Sequence, residues 1–286
     1  MPHTTLISAD GLRTALTTSA DLVLVDTSFD LADVDAGEAS WRAGHLPGAH
    51  YLHLERDLSG AKTGAGVGFR GRHPLPSRAD FAATLGRIGI TPSTHVVALD
   101  GQGGMYAARL WWMLRWMGHA DVAVLDGGMG AWTASGGTLT IDANPPIASA
   151  PYPDRTALVG TLDATALAAE LGRVRLIDAR AAERFRGEVE PLDKAAGHIP
   201  GATNRVFKDN LGADGRFKSA MQLRAEFTAL LGAHSAANTV HQCGSGVTAC
   251  HNLLAMEHAG LAGSKLYPGS WSEWSADPAR PVARGG

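Results

Sequence analysis

The sequence predicts an α/β fold made of two similar domains, each a mainly parallel sheet flanked by helices. Two observations predict it: short runs of Val, Leu and Ile alternate with helical patterns, and the order of motifs in the first half recurs in the second. The length agrees, because 286 residues are about twice the roughly 150 residues of a common domain.

The duplication is visible in four pairs of similar segments that keep their order along the chain. The pairs are LVLVD at 22–26 with VRLID at 174–178, GHLPGA at 44–49 with GHIPGA at 197–202, THVVALDGQGG at 94–104 with TVHQCGSG at 239–246, and LDGGMGAW at 125–132 with LYPGSWSEW at 266–274. Between the halves, a stretch with several prolines has little periodicity and is typical of a linker. We therefore expect a first domain over 1–140, a linker over 141–160 and a second domain over 161–286.

Each predicted element follows from its pattern. The runs LVLVD, HVVALD and VAVLDG are apolar throughout, as expected for strands buried on both faces of a parallel sheet. The helical segments share apolar residues at three- and four-residue spacing, and most end in glycine. They lie at 77–90, 105–118, 161–172, where Thr161 can act as the N-cap, and 247–260.

The composition excludes several classes of protein. A net charge of −3 and a pI near 6.4 give no basic field for a nucleic-acid partner. The first ten residues lack a secretory signal, and the most apolar window, 105–117, is interrupted by Arg109 and Arg115. Two cysteines cannot form a disulfide framework. We expect a soluble cytoplasmic protein with no membrane partner.

The segment HQCGSGVTAC at 241–250 carries the strongest functional signal. A strand that ends near Val240 and a helix that begins near Thr248 place Cys243 in a turn at the carboxyl edge of the sheet, where open α/β folds bind ligands. Gly244 and Gly246 allow a tight curl that aims backbone N–H groups inward, and the hydroxyls of Ser245 and Thr248 add donors. Such a loop favours an anion, here a thiolate, so Cys243 is predicted to be a nucleophile.

Other functions for this segment fit less well. A cysteine phosphatase needs an arginine where this chain has Ala249. The two cysteines at this spacing, with His241 and His251, match no usual zinc pattern. Cys250 shares a helix face with apolar residues, so we expect it to pack in the core, with a regulatory disulfide to Cys243 as the alternative. We expect neither a metal site nor a cofactor.

Together, the duplicated halves, GHLPGA and GHIPGA, LDGG…W, DAR…RFRGE and CGSGVTAC resemble the tandem-domain rhodanese-like sulfurtransferases, over about residues 20 to 280. The loop looks like that of the members that use 3-mercaptopyruvate. The resemblance implies that only the second domain is catalytic, since Asp100 stands in the first half where the cysteine would be. Cys243 would take sulfane sulfur from 3-mercaptopyruvate as a persulfide, release pyruvate and pass the sulfur to cyanide, a thiol or a thioredoxin-like protein.

Two alternatives remain open at this point. The first is a thiosulfate sulfurtransferase, which the neutral loop disfavours, because thiosulfate is a dianion. The second belongs to a different class: a non-catalytic protein that carries or binds a persulfide for a partner.

The resemblance also implies substrate-binding residues. The backbone of Gly244, Gly246, Val247 and Thr248 would surround the transferred sulfur. Arg184 matches an arginine that binds the substrate carboxylate, and Arg186 is a second candidate. Many members have another arginine about nine residues after the first. Here that position is Asp193, and Lys194 beside it is the candidate substitute.

A serine–histidine–acid relay that activates substrate is a further feature of the family. Ser245 matches its serine, and His73, in GRHPLP, matches a histidine contributed by the first domain. The acid would fall at Glu55, a glutamate in place of an aspartate. Trp271 and Trp274 follow the PGS segment at 268–270, which is expected near the active loop, and are candidates for lining the cleft.

Overall fold

The computed structural model describes residues 4–19, 21–64, 68–144 and 150–286. Two five-stranded sheets account for the strands of these residues. The strands are β1 (Leu6–Ile7), β2 (Leu22–Asp26), β3 (Ala49–Tyr51), β4 (His95–Leu99), β5 (Val122–Leu125), β6 (Gly160–Thr161), β7 (Arg175–Asp178), β8 (Thr203–Asn204), β9 (Thr239–Gln242) and β10 (Lys265–Leu266). The helices are α1 (Ala9–Thr18), α2 (Ala36–Ala43), α3 (Arg78–Arg87), α4 (Ala107–Trp116), α5 (Gly128–Ala134), α6 (Ala164–Glu170), α7 (Ala182–Arg186), α8 (Ala220–Leu231), α9 (Ala249–His258) and α10 (Ser270–Trp274).

The two sheets have the same topology, as duplication requires. The first has the order β1-β5-β4-β2-β3 and the second the order β6-β10-β9-β7-β8, and every paired strand is parallel to its neighbour. The predicted fold class is therefore confirmed. Because all strands are parallel, the loops that follow β4 and β9 leave the carboxyl edge of their own sheet.

The chain divides into two compact units, and each unit consists of three segments that are not continuous in the sequence. The first unit contains Met1–Ser59, Pro76–Leu158 and Ala213–Phe217, and the second contains Gly60–Leu75, Val159–Gly212 and Lys218–Gly286. The sequence treats each half as one continuous segment and assigns 60–75 to the first domain, whereas these residues belong to the second unit. The boundaries at 140 and 161 stay a prediction.

The predicted linker falls partly outside the described residues, because 145–149 are not described. Its later part packs on the first unit: Tyr152 is buried, its N–H donates to the carbonyl of Ala82, and the N–H of Leu158 donates to Arg115. None of the helices in the described ranges is long and apolar enough to cross a membrane.

Side-chain caps fix the starts of several helices. Ser77 accepts the N–H of Asp80 and caps α3, and Ser219 forms a capping box with Gln222 on α8. The expectation that Thr161 caps α6 is wrong. Asp163 does so, by accepting the N–H of Ala166, because the strand β6 extends through Thr161.

Each unit has its own apolar core between sheet and helices. In the first unit the core is formed by Ile7, Ala9, Leu12, Leu24, Leu46, Ala49, Val97, Leu99, Ala123, Leu125 and Trp132. In the second it is formed by Ala164, Leu167, Leu176, Ile199, Val240, Tyr267, Trp271 and Trp274. Trp271 and Trp274 are fully buried there, so the expectation that they line a cleft is wrong.

The first strand after each unit's opening helix ends in a buried aspartate, and the two aspartates differ in their partners. Asp178 ends β7 and pairs with Arg180 through its Oδ2, 2.7 Å from Nη2. Asp26 ends β2, and the equivalent neighbour is Ser28, whose N–H donates to Oδ1 at 2.8 Å. Oδ2 of Asp26 is buried without a hydrogen-bond partner among the described residues. Burial raises the pKa of Asp26 from 3.8 to about 6, although the hydrogen bonds from Ser28 oppose this.

Asp26→Asn is therefore expected to stabilise the protein at pH 7. The folded state binds the proton of this carboxyl more tightly than the unfolded state does. The free energy of unfolding therefore falls as the pH rises from about 4 to about 6. At 1.36 kcal/mol per unit of pKa shift, the fall is about 3 kcal/mol. The amide keeps the acceptor for Ser28 and removes the charge. Urea unfolding at pH 7 should show a gain of about 1–3 kcal/mol that disappears near pH 4.

Asp178→Asn is the matched control for this measurement, because it removes the same charge from a carboxyl that has an arginine partner. It should destabilise the protein at pH 7. An Asp26→Asn variant with unchanged stability at pH 7 would contradict the argument from burial.

Candidate active site

Cys243 lies in the turn between β9 and α9, where the sequence predicts it. It is 2% exposed, and its Sγ accepts the N–H of Gly246 at 3.2 Å. The N–H groups of Ser245, Val247 and Thr248 donate to no acceptor among the described residues, and Thr248 makes no side-chain cap on α9. The loop therefore presents free backbone donors beside a buried sulfur, an arrangement that suits an anion.

Glycine is required at position 246 for two reasons. Its φ of +77° is in the left-handed region, and a Cβ atom there would collide with the carbonyl of Pro268. Cys250, at 0% exposure, donates its thiol to the carbonyl of Gly246 at 3.4 Å. Both cysteines are free thiols, and Cys250 supports the loop from within α9.

The segment 268–272 holds the loop in place. The N–H of Cys243 donates to Oγ of Ser270 at 3.1 Å, Trp271 N–H donates to the carbonyl of Cys243 at 3.0 Å, and Ser272 N–H donates to the carbonyl of Gly244 at 2.9 Å. Among the described residues other than glycine, Ser270 alone has a left-handed φ, +53°. Such strain is found where a side chain is needed in a fixed place.

Ser270 is a residue that the sequence analysis missed, although the repeat contains a signal for it. The equivalent position in the first unit is Gly128, which has a φ of +54°. A serine that replaces a glycine in this conformation gains a hydroxyl at the cost of strain.

His73 and Ser245 meet as predicted. Nδ1 of His73 lies 2.8 Å from Oγ of Ser245, and both residues are buried in the second unit. The histidine is positioned by its neighbours: the N–H of Arg72 donates to Oγ of Ser272 at 3.0 Å, and Gly71 has a φ of +97° that lets the chain approach the carbonyl of Gly269. The pair can move a proton to or from a group bound at the loop.

Arg184 on α7 faces the loop, as the resemblance implies. A Cβ atom placed on Gly244 would lie 3.5 Å from its Nη1, and 2.9 Å from Nη2 of Arg72. Nη2 of Arg184 pairs with Glu190 at 2.6 Å and with Asp193 at 3.1 Å. Two guanidinium groups thus border the space above the residue that follows Cys243.

Arg72 is the second residue that the sequence analysis missed. Its Nη1 pairs with Oδ1 of Asp193, the residue that stands where the resemblance places a second arginine. Burial raises the pKa of Asp193, and the hydrogen bond from Arg72 partly offsets this effect. The only sequence signal for Arg72 is its position directly before His73.

Three further residues were predicted for the site: Arg186, Lys194 and Glu55. Arg186 is exposed and pairs with Glu188 at 2.7 Å. Lys194 is exposed and forms no ion pair among the described residues. Glu55 belongs to the first unit, where its N–H donates to Nδ1 of His53 at 3.0 Å.

The equivalent loop of the first unit shows what this backbone does with an anion. The carboxylate of Asp100, at the position equivalent to Cys243, accepts four backbone N–H groups at 2.8–2.9 Å, from Gln102, Gly104, Tyr106 and Ala107. The carboxylate of Asp100 thus takes up the backbone donors that an anionic ligand would need. In the second unit the Sγ of Cys243 accepts only the N–H of Gly246 in this loop, and the N–H groups of Ser245, Val247 and Thr248 stay without an acceptor among the described residues.

The sequence model of the Rhodanese-like domain matches residues 9–135 and 163–277. The chain belongs to the rhodanese-like family. The "Probable 3-mercaptopyruvate sulfurtransferase" of Pseudomonas aeruginosa is 47% identical over the whole of both chains. The "Putative thiosulfate sulfurtransferase SseB" of Mycobacterium tuberculosis is 42% identical over 98% of this chain and 97% of its own.

Solved structures of this family agree with the fold. The 3-mercaptopyruvate sulfurtransferase from Leishmania major superimposes with a TM-score of 0.83 at 29% identity, covering 96% of this chain and 75% of that one. SseA from Escherichia coli, described as a 3-mercaptopyruvate sulfurtransferase with the rhodanese fold, superimposes with a TM-score of 0.77 at 29% identity, covering 95% of this chain and 100% of that one.

Proposed function

We propose that this rhodanese-like protein is a sulfurtransferase that moves sulfane sulfur from 3-mercaptopyruvate to a thiol or cyanide through a persulfide on Cys243. The observation that carries the proposal is the buried Sγ that accepts the Gly246 N–H beside open backbone donors. The Pseudomonas aeruginosa relative, named for the same donor and 47% identical over its full length, supports the choice of substrate.

In the first half-reaction the Cys243 thiolate attacks the sulfur of 3-mercaptopyruvate. The S–S bond forms as the C–S bond breaks, and the electron pair of the C–S bond passes to the carbon as the enolate of pyruvate. The proton that the donor thiol loses is matched by the proton that the enolate gains. Ser245 and His73, 2.8 Å apart, are the groups proposed to transfer it.

In the second half-reaction a thiolate or cyanide attacks the outer sulfur of the persulfide and restores the Cys243 thiolate. The free N–H groups of the loop support the negative charge of the persulfide between the two steps. Two-step transfer of this kind predicts ping-pong kinetics. The acceptor is proposed to be a small thiol or a thioredoxin-like protein, and the site of action the cytoplasm. Glu55 as third member of the relay stays a prediction.

Thiosulfate is the second candidate donor, because two guanidinium groups border the loop and a Mycobacterium tuberculosis relative is named for it. Steady-state kcat/KM for both donors, with cyanide as acceptor, tests the proposal. We expect 3-mercaptopyruvate to be preferred. A thiosulfate preference of about tenfold, a difference of about 1.4 kcal/mol in transition-state binding, would reverse the assignment.

Ser245→Ala is expected to lower kcat for 3-mercaptopyruvate by about a hundredfold, the lower end of the usual contribution of general acid–base catalysis. The hydroxyl is the group that His73 contacts, and its loss breaks the proton path. The passage of sulfur from the preloaded persulfide to cyanide needs no proton at this site and serves as the internal control. If Ser245→Ala slows both half-reactions equally, the hydroxyl supports the loop and does not transfer a proton.

A further inference from the structure

The loop 187–194, which follows α7, buries its acids and exposes its apolar residues, the reverse of the usual pattern. The side chains of Glu190 and Asp193 are each 3% exposed. Val189 and Leu192 are 40% and 48% exposed. The burial of a charge costs free energy, and the exposure of a large apolar side chain gains none. Each half of this pattern therefore has to have a physical cause.

Hydrogen bonds account for the buried acids. Oε1 of Glu190 accepts from Nη2 of Arg184 at 2.6 Å. The same oxygen accepts the N–H groups of Leu192 and Asp193 at 3.1 and 3.2 Å. Oδ2 of Asp193 accepts from the same Arg184 nitrogen at 3.1 Å. These bonds satisfy the two carboxylates and hold the loop in one conformation, and that conformation turns Val189 and Leu192 outward.

The segment 68–75 is joined to this loop through the ion pair of Arg72 with Asp193, and both segments belong to the second unit. It also exposes an aromatic ring, because Phe69, three residues before Arg72, is 38% exposed. The segment reaches the active loop, since a Cβ atom on Gly244 would lie 2.9 Å from Nη2 of Arg72. We give the name outer apolar residues to the exposed apolar side chains of the two segments, which are Phe69, Val189 and Leu192.

The position of these residues beside the active loop indicates what covers them. Cys243 is buried, so a thiol carried by a protein reaches it only when the partner's surface lies against the segments around the loop. Cyanide and small thiols need no such contact. The loop 187–194 is one of those segments, because Glu190 bonds Arg184, which faces Gly244.

The exposed charges at this loop define the partner further. Glu188 pairs with Arg186 at 2.7 Å. Lys194 is exposed and has no ion pair in the part of the chain that the structure describes. The loop thus offers apolar contacts and one unpaired positive charge. An apolar surface with a carboxylate at its edge complements both features.

We propose that the outer apolar residues and Lys194 form the docking surface for a protein acceptor of sulfur, whose reactive cysteine lies in an apolar surface edged by an acid. The inference rests on the proposed function and adds the place where a protein acceptor, as opposed to a small one, is recognised. The acceptor thiolate attacks the outer sulfur of the persulfide. A new S–S bond forms as the S–S bond to Cys243 breaks, and the electron pair of the broken bond returns to the Cys243 thiolate.

The test passes sulfur from the loaded protein to a protein acceptor and to a small one. The persulfide is formed with 3-mercaptopyruvate, and the excess donor is removed. Reduced thioredoxin is the protein probe, since its two thiols form a disulfide as the sulfur leaves as sulfide. Cyanide is the small probe and leaves as thiocyanate. In Leu192→Glu we expect the rate constant with thioredoxin to fall at least about tenfold and that with cyanide to change less than about twofold, because a carboxylate opposes an apolar contact.

Val189→Glu should behave in the same way, and it keeps the test valid if Leu192→Glu folds poorly. Lys194→Glu should also lower the thioredoxin rate, by a factor that shrinks as salt is added. Met221→Glu is the matched control. It adds the same charge at an exposed apolar residue of α8 in the same unit, and both rates should stay near those of the wild type.

Equal losses with thioredoxin and cyanide would overturn the inference, because the loop would then support the active site alone. So would an unchanged thioredoxin rate in Leu192→Glu, Val189→Glu or Lys194→Glu, or a loaded wild type that passes no sulfur to thioredoxin. The mass of the protein after loading tests the proposed function separately. If thiosulfate adds sulfur and 3-mercaptopyruvate does not, the proposed donor is refuted, and the docking surface is tested with the persulfide formed from thiosulfate. If neither donor adds sulfur, both proposals fail.

Discussion

Cys243→Ser is expected to abolish sulfur transfer, lowering kcat/KM for 3-mercaptopyruvate by at least about a thousandfold. A serine hydroxyl is not ionised near neutral pH, and oxygen does not hold a second sulfur as a stable intermediate. The loop should stay folded, because the backbone N–H of residue 243 still reaches Ser270 and its carbonyl still accepts from Trp271. The loss would therefore reflect chemistry and not structure.

Two measurements check this prediction. Turnover with cyanide gives the rate. Mass spectrometry after exposure to donor should show the mass of one added sulfur atom on Cys243 in the wild type and no such addition in Cys243→Ser. Cys250→Ser is the control. Its hydroxyl can still donate to the carbonyl of Gly246, so a substantial fraction of activity should remain. Loss of activity in that variant would give Cys250 a larger role than support of the loop.

The same experiment separates an enzyme from a carrier. A non-catalytic persulfide carrier would gain the sulfur on Cys243 but would not release it to cyanide over repeated cycles. The proposed enzyme should return to the unmodified thiol when cyanide is added.

Arg180→Ala is expected to lower the free energy of unfolding by about 3–5 kcal/mol, the usual cost of removing one partner of a buried ion pair. The side chains of Arg180 and Asp178 are 1% and 0% exposed, and Nη2 of Arg180 also donates to the carbonyl of Gly197 at 2.7 Å. The guanidinium lies over the ring of Trp271, 4.7 Å from its centroid. The variant leaves Asp178 charged and buried, and it removes a contact to the core.

Denaturant unfolding measures this cost. Arg186→Ala is the matched control, because Arg186 lies in the same short stretch of chain but its ion pair with Glu188 is exposed. This variant should leave the free energy of unfolding measurably unchanged. The double variant Arg180→Met/Asp178→Asn should recover part of the loss, since it no longer buries an unpaired charge. If Arg180→Ala unfolds at the same denaturant concentration as the wild type, the prediction is wrong. Water would then solvate Asp178 in the variant without a loss of stability.

The fold was predictable from the sequence because its signals are local. Apolar runs that end in Asp26 and Asp178 form central strands, and helices begin at caps such as Ser77. Where two local signals compete, the prediction fails, as when the strand β6 takes Thr161 and leaves the cap to Asp163.

The repeat extended this local reasoning to function. His45 and His198, in the two GHxPG motifs, both stack on an aromatic ring, Trp41 and Phe185, and bond the carbonyl of that same residue at 2.8 Å. A feature present in both units is explained by folding. The difference at one position, Asp100 against Cys243, is therefore the signal that led to the proposed catalytic loop.

By itself, the sequence determined the duplicated α/β fold and the turn that holds the proposed nucleophile, since a strand, a glycine-rich turn and a helix follow one another within about ten residues and obey local backbone rules. Only the tertiary structure decided what surrounds Cys243. Ser270, Arg72 and Asp193 are separated along the chain by many residues, and their contacts depend on how whole segments pack. A single arginine or serine has no periodic sequence pattern from which such a contact could be predicted. For that reason the sequence pointed to Lys194, the neighbour of Asp193, and gave no sign that Arg72 pairs with Asp193.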